Sequence, residues 1–499
     1  MPTKRVQFTD WLPDQPDNSG ALNEAKNVTP VSVGYQPFPN AEDFSGAASE
    51  NINSVFVAKL DTEVVLFAGG ATKIFKFNSS TEALEDKSKS GGYTSAFPWK
   101  FSQFGKTVLA VNGTAKIQYW TIGTSTAFAD VATSPTAKQI TVVRDFVVTG
   151  SVAAGTLGRS TVRWSDINDE TDWTAGATSQ SDIQVIADGG NVVGLTGGEF
   201  GLIFLEKSIQ RMSYVGSPLF FQFDNISRGL GCLNGNSICQ YNQVSFFLSD
   251  DGFYSCDGNQ VTPIGNEKVD RWFFDDVDLS LLSNMTASIN PALNIAIWNY
   301  ANVGGGRSML VYNWTLGKWS RVETTATVLG NIATVGTTLE GLGTLGYTDI
   351  DVLPASLDAR LWVGGKFLFA GATGTKISTF TGSTYNSELV TTDLEVGYNS
   401  VINLLRPQID NGSADVSVAS RRELDDSVIF GAEVSTTSEG RVNLRTGGRY
   451  HRVSVKPTGS WTNAMAIDVD FKPQGNSCLL YTSDAADDLL CVDLGGRRI

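Results

Sequence analysis

The chain holds a single histidine in 499 residues, and that scarcity removes whole classes of chemistry. A Ser-His-Asp or Cys-His nucleophile needs an imidazole oriented by a third group. His451 lies inside GRYHRVSV, among alternating strand residues, and reads as a structural position. Histidine-rich metal sites are excluded outright. Cysteine is nearly as scarce: Cys478 and Cys491 fall in an atypical terminal stretch, leaving Cys232, Cys239 and Cys256. Those three match no zinc spacing and read as small buried thiols in a reducing cytoplasm. Positive charge is short too, with 37 Lys and Arg against 52 Asp and Glu, a net −15. Such a protein does not wrap phosphate backbones, since that affinity comes from cations displacing counterions. A negative wall repels DNA and lets it slide. No run approaches the roughly 20 apolar residues of a membrane span. The opening MPTKRVQFTDW has no apolar core of a secretory signal.

What is present favours β structure. Glycine numbers 51, aromatics reach 10%, and Val, Ile, Thr, Phe and Ser recur in short runs. That mixture predicts strands joined by tight turns, and the length predicts two or three domains. Residues 1–50 carry six of the fifteen prolines and almost no period-2 pattern. They are expected to form an extended arm lying on another surface, anchored by Trp11, Leu12, Tyr35 and Phe38.

Residues 51–388 repeat. VVLFAGGATKIFKFN and TVLAVNGTAKIQYWT place Gly70, Lys73 and Ile74 in step with Gly113, Lys116 and Ile117, a shift of 43. KFLFAGATGTKISTF, from Lys366, is a third copy with one extra residue. Weaker copies are ITVVRDFVVTG, GLIFLEKSIQRMSYVG, VSFFLSDDGFYSCDG and NIAIWNYANVGGGRSMLVYNWTLGKW. Units of about 40 residues with four short strands each predict an all-β fold, a β-propeller of about seven blades. One helix is expected to interrupt it, with Val269, Trp272, Phe273 and Val277 on one face.

Residues 389–477 change to long alternating strands and predict a C-terminal β-sandwich. Arg406, Arg421, Arg422, Arg441, Arg445, Arg449 and Arg452 alternate there with acids, the pattern of a solvated face. Residues 478–499, CLLYTSDAADDLLCVDLGGRRI, resemble translated adapter DNA of transposon-based sequencing libraries. They are expected to be an assembly artefact at the end of a metagenomic gene. Removing their four aspartates and two arginines moves the net charge from −15 to −13.

The densest candidate for chemistry is TVRWSDINDETDW, where Trp164 and Trp173 bracket Asp166, Asp169, Glu170 and Asp172. As a calcium loop starting at Asp166 it fails at both diagnostic positions. Thr171 stands at the turn glycine and Ala177 at the bidentate acid. A glycosidase carboxylate pair stays open, because its members can come from any two strands. SDINDETDW is also similar to the Ser/Asp-to-Trp turns of sialidases, which are propellers. Sialidase sites use an arginine cluster, and the spacing of Arg163, Arg211, Arg228 and Arg271 specifies none. The stretch is expected to close a turn, with its tryptophans between blades and its carboxylates capping amides or facing water. GLGCLNG lacks the strand–helix context of a dinucleotide fingerprint, and SDDGFYSCDG reads as hairpin chemistry. No catalytic, cofactor-binding or metal-binding residue is therefore assigned, and the protein is expected not to be an enzyme and to need no cofactor.

Taken in order, FTDWLPDQPDNSGALNEAKNV with GYQPFP, VRWSDINDETDW, GEFGLIFLEKSIQRMSYVGSP, FFLSDDGFYSCDG, PIGNEKVDRWFF and GRYHRVSV resemble one family. It is the packaged-DNA stabilisation, or tail nozzle (tail hub), proteins of short-tailed phages, and the resemblance runs from about Gln7 to Asp470. It implies a propeller-based virion subunit in a hexameric ring below the portal and adaptor rings. That ring continues the DNA channel without sequence-specific binding, is plugged by a needle or internal protein, and anchors tail fibres or tailspikes. The competing expectation is a propeller that binds or cleaves glycans.

Overall fold

The three repeat copies are one hairpin used three times: the second and third strands of separate four-stranded antiparallel sheets. Gly70 stands in that turn because a side chain there would collide with Glu50, whose carboxylate accepts from the amides of Thr72 and Lys73 at 2.8 Å each. Gly113 meets the same turn with φ +79°, the left-handed region that glycine enters without strain. The structure, a computed structural model, describes residues 3–474 except 61–62, 95–96, 153–158, 177, 335–348, 350 and 352–364. The adapter-like stretch therefore lies outside the described residues.

The protein is all-β, and six four-stranded sheets form blades of a β-propeller. Blades 1 to 5 are continuous in sequence, spanning 54–86, 100–130, 137–185, 192–228 and 239–263. Blade 6 joins Val328–Ala333, Phe367–Thr373 and Lys376–Thr384 to an outer strand from far away, Pro39–Asp43. Alternating apolar residues on both faces of each blade fill the gaps between neighbours. Phe67, Trp120 and Phe128 meet between blades 1 and 2 with ring centroids 5.3 to 5.6 Å apart. Each such aromatic pair contributes about 0.5–1.5 kcal/mol beyond its buried area.

The expected seventh unit is present as a four-strand meander over 286–324, but it does not close as a separate sheet. Its last strand, Lys318–Thr324, pairs in parallel with Leu22–Lys26 of the arm at Lys26 and Arg321. Arg321 reinforces the junction with a two-pronged contact to Glu24, 2.7 and 2.8 Å. Beyond it the sheet continues through Glu388–Thr391 into the long strands Leu394–Asp410, Val442–Thr458 and Asn463–Pro473, fourteen strands in all. One core cluster accordingly spans arm, blade 5, meander and C-terminal strands, from Trp11 and Tyr35 through Phe253, Trp298 and Trp319 to Val453 and Phe471.

The arm is built largely of short strands. It lies on the chain's own sheets and is itself strand: Thr3–Gln7 pairs with Asn463–Pro473, and Val28–Pro30 with Tyr35–Pro37. Pro30 and Pro37 end strands and Pro39 begins one, positions where a missing amide breaks no central ladder. The expected helix forms over Asp270–Asp276, with Val269, Phe273 and Val277 buried and Trp272 packed edge-on against Trp11 at 5.0 Å. Its first amides are capped from the arm, since Asp14 accepts from Arg271 and Trp272 at 2.9 and 2.8 Å.

The C-terminal arginines do not all face solvent. Arg421 and Arg452 close on Asp393, whose side chain is 2% exposed, and both reach Asp17 of the arm. Burial demands pairing, and the arm supplies the second carboxylate.

Candidate functional site

The Asp166 loop follows the strand Thr161–Trp164 of blade 3, and its carboxylates are occupied by the chain's own donors. Asp166 Oδ1 accepts from the amides of Ile167 and Gln180, at 2.9 and 2.7 Å. Asp169 takes the amide and hydroxyl of Thr171, which hold its carboxyl below the usual range, and Asp172 takes the amide of Thr174. Glu170 accepts from the Thr107 hydroxyl of blade 2 at 2.7 Å. Trp173 packs between blades 2 and 3, and Trp164 between blades 3 and 4. The loop is a clasp across two blade interfaces. Among the described residues, no group of three or more His, Cys, Asp or Glu is arranged to hold a metal ion.

His451 is fully buried between Ser400, 2.8 Å from Nε2, and Ser420, 2.7 Å from Nδ1. Desolvation pushes its pKa down to about 4, so the ring is neutral, with one nitrogen donating and the other accepting. Ser400 is as deeply buried as the ring, and Ser420 is partly buried beside it. Cys232, Cys239 and Cys256 are buried thiols, and burial pushes Cys232 up to about 12, the opposite of activation.

The four arginines weighed for a sialidase-like centre are not brought together. Arg163 donates to the Trp173 carbonyl in blade 3, and Arg211 lies over Phe200 in blade 4. Arg228 ends blade 4's outer strand, and Arg271 opens the helix. None of them lines the cavities at the propeller axis.

Those cavities follow from the topology. The first strand of each blade lies innermost and all run the same way, so their beginnings converge on one mouth of the axis. Ser54–Lys59, Lys100–Phe104, Ala137–Val143 and Val192–Thr196 neighbour one another in turn. The short turn Gly235–Ser237 then links Val192–Thr196 to Thr286–Asn290 of the meander, which also meets Cys239–Tyr241 and Val328–Ala333, and the last returns to Ser54–Lys59. Two cavities of about 510 and 500 Å³ open among these beginnings and share Pro98, Lys100 and Asn236. The first is mostly neutral, with Asn53, Gln240, Ser288 and Asn331 beside Trp99 and Phe101. The second gathers Lys100, Lys138 and Arg159, with Glu206 as the one carboxylate among its lining residues. Sequence reasoning missed these cations. The usable signal was their position, Lys100 opening one repeat's first strand and Lys138 lying one residue into the next.

A search of protein families returns no match, and no curated protein matches the chain. Among solved structures, the Neurospora crassa Pan2 WD40 domain is similar at 9% identity, over 69% of this chain and 97% of that one, with a TM-score of 0.39.

Proposed function

We propose that this chain is a structural subunit of a short-tailed phage tail, a nozzle ring that carries the DNA channel onward below the portal and adaptor. The ordered resemblance of its sequence to that family, from about Gln7 to Asp470, motivates the reading. The observation that carries it is the fourteen-stranded sheet, which ties arm, propeller and C-terminal strands into one continuous body suited to a loaded wall.

In the finer form of this reading the propeller has seven blades, the 286–324 meander being the seventh. Its first strand lies between the first strands of blades 5 and 6, and apolar cores flank it on both sides. The long C-terminal strands then form a sandwich-like platform for neighbouring rings, tail fibres or tailspikes. The axial cavities, at about 510 and 500 Å³, are far too small for a duplex, so DNA passes between copies and not through one propeller. With a net charge of −15, a ring of copies repels that DNA and leaves it free to slide. The role is mechanical and non-enzymatic, a needle or internal protein plugs the ring, and the protein resides in the virion.

Light scattering on the purified chain, followed by electron microscopy, tests this. A ring of about six 53.5 kDa copies with a central opening wide enough for a duplex is expected. A chain that stays monomeric, alone and with portal and adaptor rings present, overturns it.

A further inference from the structure

The cation cluster at the axis mouth is unusual in so acidic a protein. Elsewhere the lysines and arginines commonly find carboxylates, as Lys89 does on Asp130 at 2.8 Å and Lys207 on Asp250 at 2.5 Å. Lys100, Lys138 and Arg159 make no ion pair among the described residues, although all three line one cavity of about 500 Å³. Lys138 lies 3.5 Å from the centre of the Phe97 ring and the Arg159 guanidinium 5.9 Å from the same centre. Both cations are thus held against one ring, and burial first, then the nearby Arg159 charge, pushes the Lys138 ammonium below its usual pKa. Lys100, which lines both axial cavities, is pushed down to about 8 by loss of solvation.

The neighbouring amides do not supply the missing charge and are already engaged. Gln139 donates to the Val193 carbonyl, Asn234 to Leu282 and Asn236 to Ser283. Glu206 stands exposed at the rim and accepts from Asn191 at 2.8 Å. Three cations against one carboxylate leave two positive charges unmatched inside a concave site.

We propose that this mouth of the propeller axis binds a small phosphate-bearing ligand. A phosphate group carries about −1.5 to −2 at pH 7 and offers three strong acceptor oxygens, matching two unmatched cations better than a single carboxylate does. A duplex is disfavoured, because the site is a pocket in a protein of net charge −15. The inference does not rest on the ring reading, since a monomer presents the same pocket.

Calorimetry on the intact chain, with inorganic phosphate and pyrophosphate as probes at constant ionic strength, tests it. One saturable site per chain is expected. Lys138→Gln with Arg159→Gln should weaken it at least about tenfold, the loss that accompanies removal of a charge-assisted hydrogen bond. Glu206→Gln should tighten it, which keeps the test decisive if the double variant misfolds, and Lys207→Gln should leave it unchanged. No saturable binding, or equal binding by the double variant, overturns the proposal. Succinate binding as tightly as phosphate overturns the ligand class. An oligonucleotide binding more tightly than pyrophosphate, and losing that affinity in the same double variant, overturns the small-ligand assignment.

Discussion

Blades 1 to 5 each take four strands from one continuous stretch of chain, whereas blade 6 and the 286–324 meander are completed by strands from the arm. In the first kind of blade every ladder bond is local, and stability comes from packing against the next blade. In the second kind closure depends on chain more than 280 residues away, as in Asp43 opposite Ser378 or Lys26 beside Arg321. A propeller built only from local blades opens wherever its weakest interface lies. Here the closing region is also the most heavily buttressed, because arm, helix and C-terminal strands share one core with blade 5 and the meander.

The largest expected effect separates the two regions directly. Trp11, 1% exposed, packs on Trp272 and donates its indole N–H to the Asn23 carbonyl at 3.1 Å. Trp173, 0% exposed, fills the interface of blades 2 and 3. Each tryptophan cut to alanine should cost about 3–5 kcal/mol in denaturant unfolding. Their hydrogen-exchange patterns should differ. Trp11→Ala should weaken protection in blade 6, the meander and the C-terminal strands together, and Trp173→Ala mainly in blades 2 and 3. Protection lost in the arm alone after Trp11→Ala would show that the arm merely decorates the closure.

A second contrast sets buried charge against a capped loop. Asp393→Asn removes the carboxylate between Arg421 and Arg452, and breaking a buried pair of this kind costs about 3 kcal/mol or more. Asp166→Ala removes one acceptor from two amides in the blade 3 clasp and should cost about 1–2 kcal/mol. Asp166→Asn keeps that oxygen and should fold nearly as well as the parent. A larger loss at Asp166 than at Asp393 would reverse the ranking of clasp and closure.

The same division decides what could be read from the sequence. Local hairpins carry their own signature, so Gly70 with Lys73 and Gly113 with Lys116 located strand pairs of blades 1 and 2 directly. The helix around Phe273 was legible from its apolar spacing. Closure was not, because nothing in PNAED around Pro39 indicates that it completes a sheet begun near Val328. Arg421 and Arg452 look like solvated arginines until the fold brings Asp17 and Asp393 to them. The axial cations were hidden for a related reason: their role depends on the strand beginnings at Lys100, Lys138 and Val192 meeting at one cavity, which no window of sequence contains.

The smallest effect compares two titrating groups within the closing region, one in the helix and one in the C-terminal strands. Asp270, at the start of the helix, is buried beneath blade 5 and accepts from the Phe253 amide at 3.1 Å, and desolvation pushes it up to about 7. Its charged form is disfavoured in the folded state, so the stability it allows is fully present below about 4 and is lost as pH rises through about 7. His451, in the C-terminal strands, is pushed down to about 4, so its contribution is present above about 6.5 and is lost as pH falls through about 4. Between those limits the two slopes oppose each other. Asp270→Asn, which keeps the oxygen that faces Phe253, should therefore be more stable than the parent at pH 8 and lose that advantage by pH 4. His451→Gln should pay its packing cost at every pH but narrow its deficit as the medium turns acid. Urea midpoints across this range read both differences, and parallel curves for either variant and the parent would mean that the group titrates alike in the folded and unfolded chain.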